Sequence, residues 1–226
     1  MNYAQYIDHS LLHPTATSKD ITRLCNEAVQ FEVAAVCIQP VFVSLAHSLL
    51  KNTEISVATV VGFPLGACTQ EIKYEETKQC IQLGANEIDA VVCISKVIEE
   101  DWEYVTTEIN ELSTICKQYN ICLKIIFETT YLNENQIIKL CEICTKASVN
   151  FVKTSTGFDF VKQEQGTYIT IGAQLQHIQL MRKHCGSNVQ IKASGGIRTT
   201  EYFLSCIQAG ANRIGTSATK DILKGL

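Results

Sequence analysis

Short apolar runs alternate with helix-like segments along the whole chain, and this alternation is the strongest constraint on the fold. Each run has the length and the Val, Ile and Ala content of a buried parallel strand, and a segment with apolar residues at helical spacing follows it. Eight such units in 226 residues predict a closed (β/α)8 TIM barrel, with residues 1–226 forming one domain. The expected strands are Tyr6–Asp8, Val33–Ile38, Ser56–Val61, Glu87–Val92, Cys122–Phe127, Asn150–Thr154, Val189–Ala193 and Arg213–Gly215.

Local signals mark the ends of several of these elements. Thr17 and Asp20 form a capping sequence before one helix, and Asn133 caps another over Gln136–Ala147. The tripeptide Gly-Ala-Asn leads into a strand at both 84–86 and 210–212, and 147–150 is a looser copy. The repeat supports a barrel of similar units, although the C-cap glycine that such turns need would produce the same pattern.

Composition restricts the partners that the chain can have. The net charge is −4 and Lys and Arg form no basic runs, which excludes a nucleic-acid or membrane-surface partner. The start of the chain lacks a signal-peptide pattern, and no apolar run approaches the ~20 residues that span a bilayer, so a cytoplasmic location is expected. The 11 cysteines are odd in number and scattered, which is typical of reduced apolar fillers. Cys141 and Cys144 lack a second pair at zinc spacing, so no metal is expected.

A lysine interrupts the apolar strand expected at Asn150–Thr154. Burying the ammonium group of Lys153 would cost several kcal/mol unless the group is paired or loses its proton. A neutral lysine amine is a nucleophile that attacks carbonyls and forms Schiff bases. The alternative is a lysine at the end of a strand that extends its charge into solvent.

A second strand repeats this design and sharpens the interpretation. Val189–Ala193 places Lys192 at the same depth as Lys153, and neighbouring parallel strands lie about 4.8 Å apart. Like charges at that range disfavour each other's protonation, so one lysine would act as the nucleophile and the other would perturb it. Asp89, in an apolar strand, is the expected carboxylate partner of both. A structural ion pair would explain one acid and one lysine but not the second amine.

Further polar side chains are expected at the carboxyl ends of the strands, where barrels of this kind carry their active sites. The first strand ends in Asp8 and Ser10, the second carries Cys37, and the fifth carries Lys124 and Glu128. We therefore expect these groups to surround the mouth of the barrel.

Two glycine-containing loops indicate a site for a phosphate dianion. Gly195 and Gly196 follow the seventh strand, Gly215 and Ser217 follow the eighth, and both loops are expected to lead straight into helices. Free backbone N–H groups at helix starts bind anions, and this fold often uses the loops after strands seven and eight for that purpose. Gly157 would add a third position at which the backbone can approach the phosphate closely. A Gly-Gly pair can also be a simple turn.

Five segments together resemble the deoxyribose-phosphate aldolase family, whose members are class I aldolases on a (β/α)8 barrel. The resemblance extends over nearly the whole chain, and the two segments that contain Lys153 and Lys192 are the most specific. The segments are Ile7–Leu12, Ala35–Pro40, Val60–Gly66, Phe151–Phe158 and Ile191–Arg198.

The resemblance implies a reaction and a set of roles. The reaction is the reversible cleavage of 2-deoxy-D-ribose 5-phosphate into acetaldehyde and D-glyceraldehyde 3-phosphate, without metal or cofactor. Lys153 would form the Schiff base, Lys192 would keep that amine nucleophilic and shuttle protons, and Asp89 would donate and accept protons. The substrate would bind at Asp8, Ser10, Cys37, Gly157, Gly195, Gly196, Gly215 and Ser217.

The sequence departs from the family pattern at three places. Cys93 stands where the family usually has Asn, Ser10 replaces its common Thr, and the sequence ends at Leu226 without the tyrosine-ended tail that some members use in proton transfer. The last departure bears on turnover rate. Members of the family are often dimers, so a homodimer is expected. Two alternatives stay open: a Schiff-base aldolase of the transaldolase type, and a sugar-phosphate-binding barrel without catalysis.

Overall fold

Eight parallel strands pair edge to edge into a closed barrel in the computed structural model, which describes residues 2–226. Around the barrel the order is β1-β10-β9-β6-β5-β4-β3-β2, so the first and last strands pair and close the sheet. The strands are β1 (Ile7–Leu11), β2 (Ala35–Ile38), β3 (Ser56–Val61), β4 (Glu87–Val91), β5 (Cys122–Ile126), β6 (Phe151–Lys153), β7 (Val161–Lys162), β8 (Tyr168–Ile169), β9 (Gln190–Ser194) and β10 (Arg213–Thr216).

Helices connect the barrel strands and cover their outer face. All eight predicted barrel strands are confirmed, with ends that move by a few residues. No helix among residues 2–226 is long and apolar enough to cross a membrane. The helices are α1 (Ser18–Phe31), α2 (Val43–Leu50), α3 (Gln70–Gln82), α4 (Ile94–Ile98), α5 (Trp102–Gln118), α6 (Glu134–Lys146), α7 (Leu175–His184), α8 (Thr200–Gln208) and α9 (Thr219–Lys224), and short 3-10 turns span Tyr3–Tyr6, Pro40–Phe42 and Thr129–Tyr131.

The capping sequences act as predicted at two helix starts. Thr17 accepts a hydrogen bond from the N–H of Asp20, and the Asp20 carboxylate accepts one from the N–H of Thr17. Asn133 and Gln136 form the same reciprocal pair before α6. Each pair satisfies two backbone donors that the first turn of a helix otherwise leaves free, which favours the helix starts that the structure shows.

The Gly-Ala-Asn repeat has a structural explanation in the turns that enter β4, β6 and β10. Gly84 and Gly210 adopt left-handed backbone with φ of 104° and 112°, and Ser148 takes the corresponding place with φ of 53°. The asparagine that follows in each copy accepts the N–H of a residue in the preceding strand, so one side chain ties two strands together. These bonds join Asn86 to Val57 (3.0 Å), Asn150 to Leu123 (2.9 Å) and Asn212 to Ile191 (3.0 Å).

A hairpin with two strands of two residues each lies between β6 and α7, and the sequence-based prediction does not contain it. Strands β7 and β8 pair antiparallel, with Val161 opposite Ile169. The Asp159 carboxylate accepts the backbone N–H groups of Ile171 (2.8 Å) and Gly172 (3.3 Å), which holds the two ends of the hairpin together. Strands this short contain too few residues to show a period-two pattern, so periodicity could not reveal them.

The barrel separates two environments. Between the sheet and the helices lies a continuous apolar layer in which a fully buried side chain such as Ile88 contributes roughly 1.5–3 kcal/mol. Inside the barrel, a smaller apolar cluster joins β2 and β3 through Ala35, Cys37, Ala58 and Val60. The other strands send charged side chains into the interior.

A buried ion pair also connects helices α3 and α5 to the end of β4. Lys73 and Glu108 are both fully buried and form a salt bridge. Lys73 also donates to the carbonyl of Val91 (2.8 Å), and Glu108 accepts the N–H of Cys93 (2.9 Å). The pair therefore satisfies backbone groups where the chain leaves the barrel.

Candidate active site

Asp89 lies at the centre of an ionic network inside the barrel. Its Oδ1 accepts from Lys124 Nζ at 2.7 Å, and its Oδ2 accepts from both Lys192 Nζ at 2.7 Å and Lys153 Nζ at 2.9 Å. The four side chains come from β4, β5, β6 and β9, and none is more than 2% exposed. Asp89 and Lys124 face each other in register, as do Lys153 and Lys192, so the strand pairing itself brings these groups together.

Two further carboxylates extend the network, one on β1 and one at the first residue of β4. Asp8 pairs with Lys192 and accepts from Arg213 Nη1 at 2.6 Å, and Lys124 lies 3.7 Å from its Oδ2. Glu87 pairs with Lys124 and lies 3.7 Å from Arg213 Nη1. Every one of these buried charges therefore has an opposite charge beside it, as burial requires.

The mutual pairing fixes the charge state of most of the network. Burial opposes ionisation of Asp89, but the ammonium groups of Lys124, Lys153 and Lys192 outweigh it and hold the pKa of that carboxyl well below its usual range. Asp8 has a lowered pKa for the same reason. Burial also opposes the charged form of Lys192, yet Asp8 and Asp89 outweigh it and keep the pKa of Lys192 above its usual value. Lys192 thus carries a positive charge in the resting site, close to Lys153.

Lys153 differs from the other basic groups of the network. Four basic side chains share three carboxylates, so an excess positive charge is present when all are ionised. Lys153 contacts one carboxylate, whereas Lys124, Lys192 and Arg213 each contact at least two. Lys153 is therefore the basic group of the network with the least ion pairing.

A cavity of about 330 Å³ opens above Lys153 at the mouth of the barrel. Within residues 2–226, Lys153 is the one member of the ionic network that lines this cavity. Its amine is therefore the one in the network that a ligand can reach. The wall is otherwise formed by the carboxyl ends of β1, β9 and β10 and by the loops that follow β1, β6, β9 and β10. Those residues are Ser10, Leu11, Leu12, His13, Thr156, Gly157, Phe158, Ser194, Gly195, Gly196, Ile197, Arg198, Gly215, Thr216 and Ser217.

The glycines of this wall allow close packing of three loops. Gly157 and Gly195 have φ of 83° and 92°, and a Cβ at Gly157 would lie 3.6 Å from the Cα of Gly195. A Cβ at Gly215 would lie 3.2 Å from Lys192 Cε. The prediction that both loops lead straight into helices is confirmed for the second loop, where Ala218 caps α9 directly after Ser217, and wrong for the first. Helix α8 begins at Thr200 with Thr199 as its cap, so Gly195 and Gly196 belong to the preceding loop.

The structure brings together the three residues predicted to be catalytic and most of those predicted to bind substrate. Asp89, Lys153 and Lys192 form one contact group, and Ser10, Gly157, Gly195, Gly196, Gly215 and Ser217 line the cavity. Asp8 lies below, in the ionic network. Cys37 also lies below the cavity, with its Sγ 4.0 Å from Asp89 Oδ2, and burial raises the pKa of its thiol.

Sequence reasoning left three members of the network without a role. Lys124 was expected at the mouth but lies inside, bonded to Asp89. Glu87 and Arg213 were not singled out at all. A signal for them exists, because they occupy the same position after Gly-Ala-Asn in two copies of the repeat and carry opposite charges.

Comparisons with known proteins agree with this architecture. The model of the DeoC/LacD family aldolase matches residues 3–225. Deoxyribose-phosphate aldolase of Thermoanaerobacter sp. (strain X514) is 45% identical over 99% of this chain and 96% of its own length. The enzyme of that name from Treponema denticola is 42% identical over 100% of both chains. The solved deoxyribose phosphate aldolase from Aeropyrum pernix superposes with a TM-score of 0.88 at 28% identity, covering 99% of this chain and 90% of that one. An enclosed lysine–carboxylate network and matches of this extent lead to one conclusion: the chain belongs to the DeoC/LacD family of aldolases.

Proposed function

We propose that this chain catalyses the reversible aldol cleavage of 2-deoxy-D-ribose 5-phosphate into D-glyceraldehyde 3-phosphate and acetaldehyde, through a Schiff base on Lys153. The observation that carries the proposal is the position of Lys153, whose amine joins the ionic network through one contact and also lines the cavity. The names of the relatives support the choice of substrate.

The reaction begins when Lys153 Nζ attacks the C1 carbonyl carbon of the open-chain sugar. The carbinolamine loses water and becomes a protonated imine, which is an electron sink. The C3 hydroxyl then gives up its proton, the C2–C3 bond breaks, and its electron pair moves toward the imine nitrogen. Glyceraldehyde 3-phosphate leaves, and the remaining enamine takes a proton at C2. Hydrolysis releases acetaldehyde and restores the amine.

Asp89 and Lys192 are placed to move the protons that these steps require. Asp89 Oδ2 lies between Lys153 Nζ and Lys192 Nζ, at 2.9 and 2.7 Å. A proton can therefore pass between the two lysines through one carboxylate oxygen, with water completing the path to substrate. Positioned acid–base groups of this kind typically accelerate a reaction roughly 10²–10⁴-fold.

The loops above Lys153 supply the site for the 5-phosphate. Gly157, Gly195 and Gly196 have positive φ, and the cavity is lined both by Gly196, in the loop after β9, and by Gly215, in the neighbouring strand β10. Without side chains, these positions let backbone N–H groups approach an anion closely. Arg198 adds a positive charge at the rim.

We also propose a homodimer and a cytoplasmic location. In support of self-association, Leu65 and Ile72 are 59% and 57% exposed and line one groove on the β3–α3 side. The solved relative from A. pernix is tetrameric. In support of the location, the cysteines of residues 2–226 are free and mostly buried, as in proteins of reducing compartments.

Borohydride reduction with acetaldehyde tests the Schiff base. Reduction should leave a stable two-carbon adduct that mass spectrometry places on Lys153, and Lys153→Ala should show no adduct and no cleavage of deoxyribose 5-phosphate. Lys162→Ala, which removes an exposed lysine of the hairpin, should behave like the wild type.

Three results would contradict the proposal. An adduct on Lys192 or Lys124 would move the nucleophile to another strand. Trapping by dihydroxyacetone instead of acetaldehyde would indicate the transaldolase type. A protein that binds the sugar phosphate without turning it over would be a binding barrel.

A further inference from the structure

Glu128 is a buried carboxylate beside the cavity that none of the steps above uses. It lies two residues after the end of β5, is 1% exposed, and has left-handed backbone with φ of 55°. Non-glycine residues in that region carry strain, which persists where the surrounding structure imposes it. A strained, buried acid in this place requires a structural or functional reason.

The side-chain hydrogen bonds of Glu128 go to the loop after β6. Its Oε2 accepts the backbone N–H of Thr156 at 3.1 Å and also the hydroxyl of the same residue. That hydroxyl in turn accepts the N–H of Phe158 at 3.0 Å. One carboxylate oxygen thereby holds the backbone orientation of 156–158.

The segment held in this way is part of the wall above Lys153. Thr156, Gly157 and Phe158 all line the cavity, and Gly157 packs against Gly195 of the neighbouring loop. A change in the Thr156 peptide would move Gly157 relative to Gly195, and so would alter the backbone surface offered to an anion. Lys153 belongs to the strand itself, where the ladders to β5 and β9 hold it independently of this loop.

We propose that Glu128 is a positioning residue for the phosphate-binding part of the cavity: its carboxylate holds Thr156–Phe158 in the conformation that recognises the 5-phosphate, through hydrogen bonds that go to Thr156. This inference depends on the proposed function, because it assumes that the phosphate binds at these loops. It predicts that Glu128 governs KM for phosphorylated substrate and has little influence on Schiff-base formation.

The protonation of Glu128 gives the proposal a pH signature. The pKa of Glu128 is raised to about 7, because burial and, to a smaller extent, the charge of Asp159 outweigh the Thr156 hydrogen bonds and the charge of Lys153. The carboxylate is therefore ionised above about pH 7 and protonated below it. A protonated acid accepts hydrogen bonds more weakly, so the hold on the loop should weaken as the pH falls through this value.

The test compares Glu128→Gln with the wild type on deoxyribose 5-phosphate and on unphosphorylated deoxyribose. At pH 8 the variant should raise KM for the phosphorylated sugar about tenfold, the usual result of losing a hydrogen bond to a charged group. Neither kcat nor kcat/KM on unphosphorylated deoxyribose should change by more than about twofold, and acetaldehyde trapping at Lys153 should proceed as in the wild type. Glu134→Gln, an exposed acid in the next helix, is the matched control and should have no effect.

The pH dependence separates positioning from a general loss of structure. The ratio of KM in the variant to KM in the wild type should fall from about ten at pH 8 toward one near pH 5.5, because the wild type then carries the neutral acid as well. The substrate phosphate has its own second pKa near 6, but its titration is common to both proteins and cancels in the ratio. Thr156→Val, which removes the hydroxyl donor, should raise KM in the same selective way.

Each contrary outcome has a distinct meaning. Equal losses on the two sugars, or a ratio that stays constant with pH, would show that Glu128 only supports the fold. A wild type without preference for the phosphorylated sugar would contradict the proposed function itself. If Glu128→Gln does not fold, Thr156→Val decides the question, and unchanged KM in that variant would overturn the inference.

Discussion

Gly196 and Gly166 share the same backbone geometry but lie in different surroundings. Their φ values are 75° and 80°, and a Cβ would meet one carbonyl oxygen at 3.7 Å in the first and nothing within 4 Å in the second. Replacing either glycine by Ala therefore introduces similar backbone strain, on the order of 1 kcal/mol. At Gly196 the added methyl group also projects from a residue of the cavity wall.

We expect Gly196→Ala to weaken binding of deoxyribose 5-phosphate selectively. KM for the phosphorylated sugar should rise several-fold while unphosphorylated deoxyribose reacts much as before, because the methyl group hinders the approach of an anion to the backbone. Gly166→Ala should match its loss of stability and leave both KM values unchanged. If the two variants have the same kinetics, Gly196 serves the turn and not the anion.

Residues of the site were predictable where a charge interrupts an apolar run. Asp89, Lys153 and Lys192 stand in such runs, so burial alone raised the question of their partners. Arg213 and Glu87 were not predicted because each is the first residue of its strand, where a charged side chain is ordinary. Their membership follows from barrel closure, which sequence periodicity does not measure.

At the scale of elements, Lys73 on α3 contacts both α5 and the end of β4, through Glu108 and the carbonyl of Val91. Lys73→Met should destabilise the protein by roughly 3–5 kcal/mol, since Glu108 would be left buried without its cationic partner. Urea unfolding measures the change. Replacing Glu108 by Leu as well should recover much of the loss, because the orphan charge is then removed.

Helix α3 offers its own control for that prediction. Lys78 pairs with Glu75 on the exposed face of the same helix, where the side chains are 45% and 70% exposed. Lys78→Met should change stability by no more than about 1 kcal/mol, because solvent screens such pairs. Equal effects of the two substitutions would mean that the buried pair contributes no more than a surface one.

Elements with a strong local pattern were predictable, and elements that depend on distant contacts were not. The eight barrel strands have apolar runs between turn signals, and α1 and α6 begin at capping residues, so both could be read from neighbouring residues. The β7–β8 hairpin depends on Asp159, whose carboxylate binds backbone more than ten residues further along the chain. No local rule connects those positions.

For the whole molecule, the homodimer leads to a prediction about the β3–α3 surface. Light scattering on the purified protein should give twice the mass of one chain, and Leu65→Lys combined with Ile72→Lys should convert it to a monomer, because burying two unpaired charges opposes association. Tyr168→Lys, an exposed position on the hairpin, should leave the mass unchanged. A monomeric wild type would contradict the proposal, and a dimer that survives the double substitution would place the interface elsewhere.

The ionic network also has a consequence for the synthesis of the chain. Its carboxylates, Asp8, Glu87 and Asp89, lie on β1 and β4, whereas every basic partner lies on β5 or later. A nascent chain that has left the ribosome only as far as α5 holds three acids destined for burial and none of the cations that make burial tolerable. The charges of the interior can therefore all be paired only after the last strand, with Arg213, has been made.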